Sequence, residues 1–351
     1  MRVCVLWLCM LAAGSADQTS PEALIEAGHW KKARALVEAR IRANPRDAAA
    51  CFLLSQVRAA FGDRESPLAL AEQAVALDGN VAKYHRQLAE ALGVTAQHSG
   101  MVQQLILARR FKKEIDAALA LDPRDPQALR DLMEFYLLAP GIAGGDKTKA
   151  RETAVRVAAA GPAEGYAAQA RLAESNGERG RIEGLLQHAV ASSPRDYKMR
   201  ISLAEFYLSA EHRDLAKAGE QASEAIRIDP ERAAAYAVLA RCDAAGEKWS
   251  DLDSTLATAR KESPDDLVPN YRAAEVLLEA NRDLDRAVTC LRAYLSADPE
   301  GNQPTLAEAH WKLGLVLAKL GRAHEAAAEW REAVRLDPES PAARDLRKST
   351  N

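Results

Sequence analysis

A short helix-ending phrase returns about every 34 residues and constrains this chain more than any other feature. It reads "RANPRD", "ALDGNV", "ALDPRD", "AAGPAE", "SSPRDY", "RIDPER", "KESPDD", "SADPEG" and "RLDPES". The closing residues are Pro45, Gly79, Pro123, Pro162, Pro194, Pro230, Pro264, Pro299 and Pro338, separated by 34, 44, 39, 32, 36, 34, 35 and 39 residues. Proline has no amide donor and clashes with the preceding helical turn, so each mark ends a helix. Such a chain is built from one repeated unit, too small to bury its apolar face alone and stacked on its neighbours to do so. The 48% hydrophobic, 5% aromatic composition, with only 19 Gly and 15 Pro, excludes collagen and low-complexity disorder.

What precedes each mark is equally regular. In the last copy Leu313-Gly314 is followed by Gly321, Ala326, Trp330, Ala333 and Pro338. Gly28, Trp30, Ala33 and Pro45 carry the pattern near the start, and Leu239-Ala240, Trp249, Leu256, Ala259 and Pro264 carry it later. Leu203-Ala204, Tyr207, Ala218, Ala225 and Pro230 fit after a two-residue insertion. Small residues such as Gly314 and Ala326 let two helices approach, while Leu313 and Trp330 fill the space between them. This pattern resembles the tetratricopeptide repeat. The resemblance implies an all-α, right-handed superhelical solenoid of about nine helix–turn–helix repeats over residues 17–340, with a cap and tail at 341–351.

Residues 1–16 stand apart. Arg2 precedes an apolar run from Val3 to Ala13, then Gly14-Ser15-Ala16 offers the small residues of a cleavage site. Eleven apolar residues are too few to span a bilayer, so a cleaved secretory signal and a periplasmic or secreted bacterial protein are expected. The net charge of −3 gives no footprint for nucleic acid. Cys51, Cys242 and Cys290, an odd number at irregular spacing, read as small buried hydrophobes rather than a disulfide framework.

Two intervals depart from the 34-residue unit. Between Gly79 and Pro123 a first helix runs from Lys83 to about Gln97, and a second from near Met101 to Leu121. Between Tyr136 and Ala150, "YLLAPGIAGGDKTKA" is a glycine-rich loop. It is a near miss to a phosphate-binding loop, with Asp146 standing where glycine is needed. Asp146 instead suits the start of the next helix. The segment also resembles one in a group of exported bacterial tetratricopeptide proteins.

No chemistry is signalled. The seven histidines do not pair at ligand spacing, there is no His-Glu-x-x-His, Cys-x-x-Cys or Gly-x-Ser-x-Gly, and neither cofactor, metal nor enzyme activity is expected. The resemblance implies that first helices line a concave groove holding a protein or peptide. Matching slots places Arg86, Glu90, Arg130, Glu134, Ile201, Glu205, Arg241 and Trp311 there, with Leu137 and Leu138 extending its apolar part. Arg86/Glu90 and Arg130/Glu134 are also spaced to pair within their own helices, and Trp311 suits either a partner or the terminal cap. The function expected is a non-catalytic interaction module. The alternative is an architectural subunit of an envelope machine, using its convex face and loops. A small-molecule site beside the lengthened helix pair is a third reading.

Overall fold

The computed structural model describes residues 20–209 and 211–349, so the expected signal at 1–16 lies outside the described residues. Among these residues there are nineteen α-helices and no strand. The first helices of successive pairs are α1 (Pro21–Ala27), α3 (Ala48–Ala60), α5 (Ala82–Gln97), α7 (Pro126–Leu138), α9 (Pro162–Ser175), α11 (Tyr197–Leu208), α13 (Ala233–Ala245), α15 (Val268–Ala280) and α17 (Leu306–Lys319). Their partners are α2 (Trp30–Ala43), α4 (Ser66–Leu77), α6 (Met101–Leu121), α8 (Lys147–Ala160), α10 (Ile182–Ser192), α12 (Leu215–Ile228), α14 (Trp249–Glu262), α16 (Leu284–Leu295) and α18 (Ala323–Leu336), and α19 (Ala342–Ser349) follows. The chain is an all-helical solenoid.

The recurring phrase has a local cause. Asn44, Asp78, Asp122, Asp229 and Asp337 each end a second helix with extended backbone, φ between −132° and −149°. Four of the five precede proline, which disfavours helical geometry in the residue before it. Each side chain then accepts the amide of the residue two places on, at 3.0–3.3 Å, closing a turn. Pro162 differs, since it is the first residue of α9 rather than part of a preceding turn.

Close approach within a pair rests on small residues. A Cβ on Gly314 would lie 2.3 Å from Nε1 of Trp330, whose buried indole donates to the Trp311 carbonyl at 3.2 Å. Ala326 and Ala333 are fully buried beside that ring. Cys51, Cys242 and Cys290 are free and buried, with burial pushing all three thiols upward, Cys242 to about 12 and Cys290 to about 11.

The first pair also touches pairs far along the chain. Glu300, buried in the turn before α17, accepts the Lys31 backbone amide at 2.8 Å. That amide belongs to the first turn of α2, whose own N-cap residue, His29, makes no side-chain capping bond. Lys31 Nζ donates to the carbonyls of Asp298 and Asp265 at 2.8 and 3.2 Å, and Lys32 pairs with Asp265 at 3.0 Å. The Asn302 amide donates to the Ala60 carbonyl at 2.7 Å, its side chain lying over Gly62 where a Cβ would collide. Arg232, lying 4.8 Å over the Tyr197 ring, donates to the Glu26 carbonyl. The solenoid therefore closes, its first pair clasped by the turns before α13, α15 and α17.

Candidate functional site

The first helices stack so that one slot recurs on each: Glu134 on α7, Arg171 on α9, Glu205 on α11, Arg241 on α13, Glu275 on α15 and Lys312 on α17. These alternate in sign, and neighbours pair across helices. Arg171 Nε donates to Glu134 at 2.8 Å. Arg241 Nη1 donates to both carboxylate oxygens of Glu205 at 2.8 and 2.7 Å. Lys312 pairs with Glu275, which also accepts from Arg272 at 2.9 Å. These two cations hold the half-buried Glu275 carboxyl below its usual range against the burial that would raise it. Three rungs of a charge ladder thus run along the first-helix face.

The ladder revises the expected intrahelical pairs. Glu134 does not pair with Arg130 but reaches the next first helix, because the stacked helix offers a guanidinium at hydrogen-bonding distance. Arg86 and Glu90 likewise form no ion pair with each other among the described residues. Arg86 and Arg130 instead flank Asp131, a residue the spacing argument passed over. Burial pushes the Asp131 carboxyl up to about 6, against the pull of both arginines and with a smaller push from Glu90. This cluster on α5 and α7 is the part of the first-helix face whose charges are not taken up pairwise.

Two expected groove residues lie elsewhere. Trp311 is held by the cap: its indole donates to Asp345 of α19 at 2.9 Å, and it packs in the C-terminal core with Leu346. The α19 face supplies the apolar cover that a following repeat would otherwise give. Ile201 packs with Tyr197, Ala225, Ile226 and Ala235 in the core between α11 and the following pair. Leu137 is half-buried against the core shared by α5 to α9, while Leu138 beside it is 69% exposed. Arg171, Glu275 and Lys312 were missed, although the recurrence of one slot every 34 to 37 residues marks them in hindsight.

The glycine loop does not form a phosphate cradle. Asp146 caps α8, accepting the amides of Thr148 and Lys149 at 2.8 and 3.2 Å, so its carboxylate holds the donors that a phosphate would need. No group of three or more His, Cys, Asp or Glu is placed to hold a metal among the described residues. A cleft of about 720 Å³ lies between α1 and the N-terminal ends of α7, α9 and α11. It has no cluster of catalytic groups, its charged lining being Glu26, Glu164, Arg195, Lys198 and Glu231 with the Asp229–Arg232 pair.

These features define a paired-helix repeat scaffold. Residues 271–341, from within α15 to the turn after α18, match the tetratricopeptide repeat family model. No curated protein matches the chain in sequence. Among solved structures it is similar to the crystal structure of yeast Tom70, at 14% identity over 94% of this chain and 79% of that one, with a TM-score of 0.47. It is also similar to pilF of Pseudomonas aeruginosa, at 17% identity over 65% and 99%, TM-score 0.42. A third is TTC0263, a tetratricopeptide protein of Thermus thermophilus, at 19% identity over 63% and 94%, TM-score 0.38. The resemblance read from the sequence is thus a tetratricopeptide one, and repeats of this type serve as interaction modules for proteins or peptides rather than as catalysts.

Proposed function

We propose that the chain is a non-catalytic scaffold of the bacterial cell envelope that docks a segment of another protein on its first-helix face. The observation that carries this is the α5–α7 cluster. Elsewhere on the face acid and base neutralise each other across helices, whereas Arg86, Glu90, Arg130 and the semi-buried Asp131 keep charge to offer a partner. Envelope location rests on the leader pattern of residues 1–16. The test is a cross-linked pull-down from native envelope with the wild-type chain and an Arg86→Glu, Arg130→Glu variant. Loss of specific partners by a variant that stays helical is expected. Recovery of the same partners by both would remove the groove reading.

A second reading draws on a different observation. Several of the most exposed large apolar side chains, Met101, Val102, Leu138 and Ile142, lie on α6 and the glycine loop rather than among the charge rungs. That favours contacts made through the outer face and loops, as in an architectural subunit.

A further inference from the structure

The two departures from the repeat meet at one place and build a projecting knob. α6 has 21 residues, where the other second helices have 11 to 14. Phe111, ten residues into α6, packs on Gly93, only four residues before the end of α5. The first turns of α6 therefore overshoot α5 by six residues, about 9 Å at the helical rise. The glycine loop stands against this overhang. Its 3-10 turn, Gly141–Ala143, touches α6, and Phe135 below it stacks on Phe111 at 5.7 Å while also contacting Gly144.

The overhang and loop expose apolar side chains at one end of the pair: Met101 86%, Val102 76%, Ile142 74%, Leu138 69% and Ile106 49%. Isolated exposed apolar residues are ordinary, but a projecting cluster of five marks an interaction surface. Its charge is one-sided. From residue 91 to 113 there is no acidic residue, while Arg109, Arg110, Lys112 and Lys113 fall within it. Arg110 and Lys112 are engaged by Glu72 and Asp116, whereas Arg109 and Lys113 are exposed with no ion pair among the described residues. Val102, Ile106, Arg109 and Lys113 follow at i, i+4, i+7 and i+11 and are all exposed, forming one stripe. Lys147 and Lys149, exposed at the start of α8, add charge beyond the loop.

We propose that this knob seats the protein peripherally on an anionic lipid surface. Three to seven residues separate Ile106 from Arg109 and Lys113, about 5–10 Å along the helix. That matches the depth to which interfacial helices bury their apolar face, so an immersed tip sets these cations among lipid phosphates. The knob is convex, as penetration of a bilayer interface requires. No helix among the described residues is long and apolar enough to span a membrane, so the contact is a surface one. This reading stands independently of the groove.

The test is co-sedimentation of the chain with vesicles of phosphatidylcholine alone or with 30% phosphatidylglycerol, at low and high salt. Binding is expected only with the anionic vesicles, weakening as salt rises. It should fall at least tenfold in Ile106→Asp, Ile142→Asp and, separately, in Arg109→Glu, Lys113→Glu. Circular dichroism checks that each variant stays helical, and Glu205→Lys serves as a control expected to bind like wild type. The proposal is overturned if wild type does not bind anionic vesicles, or if the knob variants bind them equally well. Loss of a cross-linked protein partner by those variants, with vesicle binding unchanged, would also overturn it and assign the knob to a protein.

Discussion

Glu300→Ala removes the remote cap of α2 and isolates the contribution of the clasp. The carboxylate hydrogen bond to the Lys31 amide is charge-assisted and buried, a type worth about 2 kcal/mol, and helix caps are commonly worth about 1 kcal/mol. Part of this is offset, because Glu300 Oε1 has no partner and burial pushes the carboxyl upward. A net of about 1.4 kcal/mol is a tenfold change in the local opening equilibrium. Hydrogen exchange read by mass spectrometry should show about tenfold faster exchange in the first turn of α2, with α13 unchanged as internal reference. Unaltered protection of that turn would refute the capping argument. A uniform loss across both helices would refute the claim that the clasp acts locally.

Asp131 sits near 3.8 when unfolded and about 6 when folded, so the native state holds the extra proton between these values. Stability contributed by this group therefore falls as pH rises from about 4 to 6; thermal melts of Asp131→Asn should lack that fall. Gly314→Ala drives a methyl into the Trp330 indole and should cost about 1–3 kcal/mol, read as a lowered denaturant midpoint with unchanged slope. The three buried thiols should resist alkylation at neutral pH in the native protein and react together on unfolding. Glu205→Ala removes a rung whose carboxylate is nearly half exposed and should cost less than about 1 kcal/mol in the same denaturant assay.

The helical plan was legible because its determinants are local. Each Asp-Pro phrase fixes a turn through neighbouring backbone and side-chain atoms, and the Gly314–Trp330 contact joins two helices of one pair. The overhanging helix pair was also readable, since its boundaries follow from apolar spacing and from Gly100. The candidate site was less legible. Slot matching found both ends of the Glu205–Arg241 rung but not their partnership, because a pair bridging stacked helices leaves no mark within either one. Trp311 illustrates the same limit: its spacing alone could not tell a partner from α19. Asp131 was missed because its character comes from burial, and nothing in its own neighbourhood of the sequence announces that. The Lys31–Glu300 contact spans 269 residues and had no sequence signal at all.

That contact alters how the chain must fold. An open array of repeats is governed by neighbours, so it can nucleate anywhere, zip outward and fray from its tips. Here the amino-terminal pair cannot finish until the turn before α17 has formed, and joining them closes a long loop at an entropic cost that no local contact shares. One tip of the array is thereby withdrawn from fraying. Unfolding must either break the clasp first or begin at the carboxy-terminal cap, where α19 lies beyond the last clasping turn. The molecule then loses structure directionally, from α19 inward, and only an unclasped variant would melt from both ends.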